Sequence, residues 1–133
     1  LNILRERGIP TVVWISPILP FINDSVDNLR GLMKRCVEAG VRGVVYFGAG
    51  MTLRDGNREY YYQQLDRHFP GLSDRYRRTY QNAYVVASGD AARLDGIVRD
   101  ACARHDILLD TDRVFAYLSS FEEKYKQISL FDG

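Results

Sequence analysis

The sequence predicts an α/β fold in which a strand–helix–strand unit with parallel strands is followed by a mostly helical carboxyl-terminal region. Three observations lead there. Thr11-Val12-Val13-Trp14-Ile15 is almost purely apolar and lacks polar alternation, the pattern of a parallel strand covered on both faces. Leu29, Leu32, Met33, Cys36 and Val37 recur at helical spacing, as the apolar stripe of a helix packed on a sheet does. A second short apolar run, Gly43-Val44-Val45-Tyr46-Phe47, comes next.

Each element follows from local chemistry. Leu1 to Arg7 reads as the last two turns of a helix ended by Gly8 at C′. Because Leu1 is not a methionine, the expectation is a fragment whose upstream half is missing. Pro17 and Pro20 lack the N–H a ladder requires, so pairing of the first strand must stop there. That puts an irregular loop at the carboxyl end of a parallel strand, where α/β sheets bind ligands. Asp24 or Ser25 is the expected N-cap of the helix that follows. Gly40 ends that helix as Gly8 ends the first, one βα period of about 30 residues later.

Beyond Phe47, Gly48-Ala49-Gly50 and Asp55-Gly56-Asn57 read as loops. Residues 58–69 are expected to be helical, with Tyr61, Leu65 and Phe69 on one side. Ser73 is the expected cap of a short helix reaching Tyr80. Asp90 is the expected cap of another, striped by Leu94, Ile97, Val98, Ala101 and Cys102. Asp112 should open a last helix with Val114, Tyr117, Leu118 and Phe121 inward. Tyr84-Val85-Val86 and Ile107-Leu108-Leu109 are short extended candidates. The expectation is a single domain over residues 1–133, with a βαβ part at 1–56, a helical part at 57–126 and a tail at 127–133.

Composition narrows the function classes. A chain of 133 residues with 46% hydrophobic content suits one core. With 18 basic and 17 acidic residues the formal charge is +1, so no global field points to nucleic acid or membrane. No apolar run approaches the roughly 20 residues of a bilayer span. Cys36 and Cys102 are too few and too far apart for a disulfide framework or a metal knuckle, which favours a reducing cytoplasm. Both fall on apolar stripes, so buried structural thiols are expected. His68 and His105 have no partner at ligand spacing, so no metal site is expected.

Two further clusters have a functional and a structural reading. Arg67, His68, Arg75, Arg77 and Arg78 interleave with Tyr76 and Tyr80, and such a face can neutralise phosphates and stack bases. The preferred reading is a solvated helix face, balanced by Asp66 and Asp74, whose tyrosines pack inward. Tyr60-Tyr61-Tyr62 must turn at least one ring to solvent or a partner, since successive helical residues point about 100° apart.

Gly8-Ile9-Pro10, Ser16-Pro17-Ile18-Leu19-Pro20-Phe21-Ile22-Asn23-Asp24, Glu38-Ala39-Gly40-Val41 and Phe69-Pro70-Gly71-Leu72, with Tyr76 and Tyr80, carry a resemblance. Together they resemble the carboxyl-terminal half of radical S-adenosylmethionine proteins of the spore-photoproduct-lyase-like group, often labelled DNA repair photolyases. The resemblance implies part of a (β/α) barrel of six strands, with the two apolar runs as the fifth and sixth. It implies that Ser16, Pro17, Ile18, Tyr46, Phe47 and Gly48 form one wall of the S-adenosylmethionine site, against adenine and ribose. The group's CxxxCxxC motif, which holds a 4Fe-4S cluster, is absent. The cluster and cofactor are therefore expected in the full-length enzyme, with neither held tightly by this chain, which alone should be inactive.

The tail Gln127-Ile128-Ser129-Leu130-Phe131 is similar to the Gln-Leu-Ser/Asp-Leu-Phe peptide that docks on the bacterial sliding clamp, with Ile in the second place. Expected partners are thus the missing amino-terminal half, the sliding clamp, a DNA substrate and, through an exposed strand edge, a second copy of the chain. A non-catalytic module binding the clamp or nucleic acid is the alternative. An aldolase-like barrel half is a third reading, though Lys34, Lys124 and Lys126 lie on helices or the tail, where no Schiff-base role is evident.

Overall fold

Three helices of this protein end in the same backbone motif, and that repetition organises the fold. The structure is a computed structural model and describes residues 1–120. Phe121, Lys124, Lys126 and the motif at residues 127–131 lie outside the described residues.

Helices α1 (Asn2–Glu6), α2 (Val26–Glu38) and α5 (Ala91–Arg104) are each followed by a residue with positive φ: Gly8 at 68°, Gly40 at 61° and Asp106 at 51°. One residue later an apolar side chain turns back, and its N–H donates to the carbonyl of the helix's last turn. Ile9 donates to Leu4 over 2.9 Å, Val41 to Cys36 over 3.2 Å and Ile107 to Cys102 over 3.0 Å. Each motif hands the chain to an extended segment. Those segments are β1 (Val12–Trp14), β2 (Gly43–Val45) and Leu108, and they run parallel. Val13 faces Val44 in the β1–β2 register, and Gly43 bridges to Leu108. The expected βαβ unit is present with its strands parallel, and α5 with Leu108 supplies a second helix and extended segment.

The middle of the chain departs from the helical expectation. Between β2 and α5 lies an insertion: β3 (Gly50–Thr52), α3 (Asn57–His68), α4 (Leu72–Tyr80) and β4 (Val85–Ala87). Strands β3 and β4 pair antiparallel, with Met51 opposite Val86. Gly50 therefore sits in a strand rather than in the loop its composition suggested. The reason is steric, because a Cβ there would lie 2.6 Å from the Val86 carbonyl oxygen. Extended structure at residues 85–87 and at Leu108 agrees with expectation. Among the described residues, the protein is mixed α/β, with six helices and two two-stranded sheets; α6 (Thr111–Leu118) is the last helix.

Two cores result. Leu29, Met33 and Cys36 of α2 meet Leu94, Val98 and Cys102 of α5 over Val44. Leu53, Tyr62, Leu65, Tyr76 and Val86 form the core of the insertion, on which Phe21 and Ile22 pack. The proline-rich loop thus belongs to both. Its Asn23 carboxamide oxygen accepts from the Leu19 N–H at 2.6 Å, and Asp24 accepts from the Ser88 hydroxyl at 2.6 Å.

Several expectations are corrected. Strand β1 is not covered on both faces: Val12 and Val13 are half-buried and Trp14 is 58% exposed. Full burial belongs to β2, which lies between β1 and Leu108. Ser25, not Asp24, caps α2, its hydroxyl accepting from the Asn28 N–H at 3.2 Å. In α3 the inward residues are Tyr62 and Leu65, while Tyr61 is half-buried and Phe69, beyond the helix end, is exposed. Gly71 (φ 83°) precedes α4, and Ser73 lies in its first turn, buried, its hydroxyl donating to Asp66. Asp90 precedes α5 but its side chain makes no capping bond. Asp110, not Asp112, caps α6, accepting from the Arg113 N–H at 2.9 Å. Only Val114 of that helix is fully buried; Tyr117 is half-buried beneath Arg42, and Leu118 is exposed.

Candidate functional site

The carboxyl ends of β1 and β2 open into a cleft of about 550 Å³. β1 leaves its ladder after Ile15, whose N–H donates to the Val45 carbonyl at 2.9 Å. The chain then turns outward through Ser16 and Pro17. β2 runs on into Tyr46, Phe47 and Gly48, the last at φ 95°, a conformation that favours glycine. Ser16 and Pro17 form one flank of the cleft and Phe47 and Gly48 another. The insertion closes the far side with Met51, Val85 and Ala87, and α5 contributes Ala91 and Asp95.

Of the six residues expected on a cofactor wall, four meet there: Ser16, Pro17, Phe47 and Gly48. The other two do not line the cleft. Ile18 is buried in the first core, because the Pro17–Pro20 turn swings it inward. Tyr46 is half-buried against the same core, and its hydroxyl donates to Asp95 Oδ1 at 2.7 Å. Burial, and then the bonded Asp95 carboxylate, push the Tyr46 hydroxyl far above its ordinary pKa, so it stays a proton donor. The Ala49 N–H also donates to Asp95 Oδ1, at 3.0 Å.

Asp95 is the charged residue of this site that sequence reasoning missed. It flanks the apolar stripe of α5, one position after Leu94, where an acidic residue ordinarily means solvent. Its place becomes readable only once α5 is known to follow β2 across the insertion.

The remaining candidates fall elsewhere. Cys36 and Cys102 are buried in the α2–α5 core as expected. Burial pushes both thiols up, and Cys102, with Cys36 as neighbour, reaches about 11. Such thiols resist becoming the thiolates that hold iron. Among the described residues, no three His, Cys, Asp or Glu side chains gather as a metal site. His68 ends α3 and His105 caps α5, both exposed.

In the basic cluster the tyrosines pack inward. Tyr76 is fully buried and Tyr80 half-buried, both against the insertion core. Arg75 lies over the Phe21 ring at 3.9 Å, and Arg77 lies over Tyr62 at 4.8 Å while pairing with Asp74 at 3.5 Å. Of the three successive tyrosines, Tyr60 faces solvent. Lys34 pairs with Glu38 at 3.7 Å on the surface of α2. No helix among the described residues is long and apolar enough to cross a membrane.

No protein-family model matches the chain. No solved structure matches it either. Similar sequences occur in uncharacterized proteins of Mycobacterium bovis and of two strains of Mycobacterium tuberculosis, each 33% identical over 81 residues. The aligned stretch covers 61% of this chain but 23% of each relative, so the similarity concerns a minor part of those longer proteins.

Proposed function

We propose that this chain is the carboxyl-terminal part of a cytoplasmic radical S-adenosylmethionine enzyme of the spore-photoproduct-lyase-like group, acting on a DNA-repair-type substrate. In this reading β1, β2 and Leu108 belong to a partial (β/α) barrel, and the cleft at their ends is one wall of the cofactor site. The observation that carries it is the convergence of Ser16 and Pro17 with Phe47 and Gly48 on one cleft. An adenosyl group asks for a flat apolar surface and close backbone approach, which Phe47, Pro17 and Gly48 offer.

The 4Fe-4S cluster does not fit the described residues. Cys36 and Cys102 are protonated core thiols, and the reading assigns cluster ligands to another part of the full-length protein. In this reading Ser16, Pro17, Phe47 and Gly48 would hold the nucleoside of the cofactor, and the cluster, held elsewhere in the full-length protein, would supply one-electron reduction. The experiment uses the full reading frame. If it encodes a CxxxCxxC and the anaerobically reconstituted protein releases 5′-deoxyadenosine with dithionite, the reading stands. A frame without that motif, or a reconstituted protein that leaves the cofactor intact, removes it.

The tail favours a second activity alongside the first. Leu130 and Phe131 would fill an apolar pocket on the sliding clamp while the Gln127 amide anchors the peptide backbone. A peptide spanning residues 124–133 should bind the clamp, and replacing Leu130 and Phe131 by alanine should abolish binding. Unchanged binding by the doubly substituted peptide rejects the motif.

A further inference from the structure

We infer that the cleft between α3 and α4 binds a free α-amino acid whose side chain ends in a carboxamide, with Tyr62 as its buried hydrogen-bond partner. The cleft lies within the insertion, has a volume of about 550 Å³, and shares no lining residue with the one at the ends of β1 and β2. Tyr62 lines it and is 6% exposed, yet its hydroxyl has no hydrogen-bond partner. Among the described residues it is the one buried side-chain oxygen or nitrogen left so. An unpaired buried hydroxyl is unfavourable, and beside a cleft it marks a place for a ligand atom.

The charges of the cleft say which ligand. The buried Ser73 hydroxyl donates to Asp66 and accepts from Arg77 Nη1 at 3.4 Å. A carboxylate of α3 and a guanidinium of α4 are thus held on either side of one hydroxyl rather than paired directly. Glu59 brings a second carboxylate to the same face of α3, since Glu59, Tyr62, Gln63 and Asp66 are spaced i, i+3, i+4 and i+7. Arg58 donates to the carbonyls of Leu53, Gln81, Asn82 and Ala83, which fixes the segment after α4 against α3. A simple anion meets Glu59 and Asp66 here, and a simple cation meets Arg58 and Arg77. A zwitterion suits both signs, its ammonium donating to the carboxylates and its carboxylate accepting from Arg77.

The side-chain amides of Gln63, Gln81 and Asn82 line the same cleft and make no hydrogen bond among the described residues. Each offers two donors and an acceptor, the complement of another carboxamide. Arg77 lies over the Tyr62 ring at 4.8 Å. Its polar contacts, 3.4 Å to Ser73 and 3.5 Å to Asp74, are long, and the side chain is half-exposed. It can therefore swing aside and admit a ligand atom to the Tyr62 hydroxyl.

The full chain is titrated with L-glutamine, N-acetyl-L-glutamine and L-glutaminamide, reading saturation transfer to the ligand protons. L-glutamine is expected to bind about tenfold more tightly than either analogue, each of which lacks one charge. Tyr62→Phe removes only an oxygen that bonds nothing in the free protein. Its melting temperature should equal or exceed that of wild type, while glutamine binding weakens about tenfold. Arg77→Gln should erase the preference over L-glutaminamide and keep that over N-acetyl-L-glutamine. The wild-type comparison of the three ligands decides the matter should either variant fold poorly. No saturable binding of L-glutamine, equal binding of the three ligands, or full-strength binding by Tyr62→Phe overturns the inference. A lowered melting temperature of Tyr62→Phe overturns it too, because the hydroxyl would then be paired within the fold.

Discussion

The hydroxyl of Tyr76 donates to the carbonyl of Pro20 at 2.6 Å, joining α4 of the insertion to the loop that leaves β1. Tyr76 also accepts from the Tyr61 hydroxyl at 3.1 Å, and Phe21 meets its ring edge-on at 5.4 Å. Burial, with Tyr61 as the next cause, pushes the Tyr76 hydroxyl far up, so it remains a donor throughout the working pH range. Tyr76→Phe keeps the ring and strands a carbonyl, and should cost about 1–3 kcal/mol. Urea denaturation checks this. A midpoint equal to wild type would mean that the loop is held by packing alone.

The three matching helix ends make a paired prediction. Gly40 and Asp106 occupy equivalent left-handed positions, but only Gly40 is free of Cβ strain there. Gly40→Ala should destabilise by about 1 kcal/mol, and its new Cβ would also meet the Arg5 side chain at 3.2 Å. Asp106→Gly should be neutral or stabilising by up to about 1 kcal/mol. The ion pair lost with Asp106, to Arg42 at 4.0 Å, is exposed and contributes little. Thermal melts of both variants read the difference, and opposite signs are the expected outcome.

These helix ends also show what was legible in the sequence. Gly8 and Gly40 announce themselves because glycine is the usual residue at C′, and each precedes an apolar run. Asp106 does not, since an aspartate in that conformation looks like any surface acid. Strand β3 was hidden for another reason: Gly50 is required by the backbone of Val86, far away in sequence, and no local pattern records that approach. The insertion separates β2 from its helix α5, so the second repeat could not be read as one unit. The same separation concealed Asp95. The four cleft residues that were legible lie at strand ends, where the chain direction is set locally. Ile18 failed because its side chain follows the turn made by Pro17 and Pro20.

Alkaline pH should loosen the first core through its thiols. Burial, and then neighbouring Cys36, raise Cys102 from 9.0 to about 11, and Cys36 moves in the same direction. An acid whose folded pKa is raised favours folding while it is protonated. Its contribution is complete below about pH 9 and fades as pH rises through 11, amounting to about 2–3 kcal/mol for Cys102. Urea midpoints at pH 8 and pH 10.5 measure the loss, and Cys102→Ala should make it smaller. Identical losses in the two proteins would assign the effect to Cys36 or to the buried tyrosines instead.

Trp14 and Phe47 form an exposed aromatic pair at the carboxyl ends of β1 and β2, 58% and 61% accessible. Among the described residues β1 pairs with β2 alone, leaving its other edge open. Unpaired backbone groups beside exposed aromatic surface favour addition of another strand. The chain by itself should therefore associate with a second copy, and sedimentation at rising concentration should show a mass above that of one chain. Trp14→Glu places charge on the edge and should return the protein to the single-chain mass, with helical circular dichroism retained. A wild-type mass equal to one chain at the highest concentration would show that β1 tolerates water on its open side.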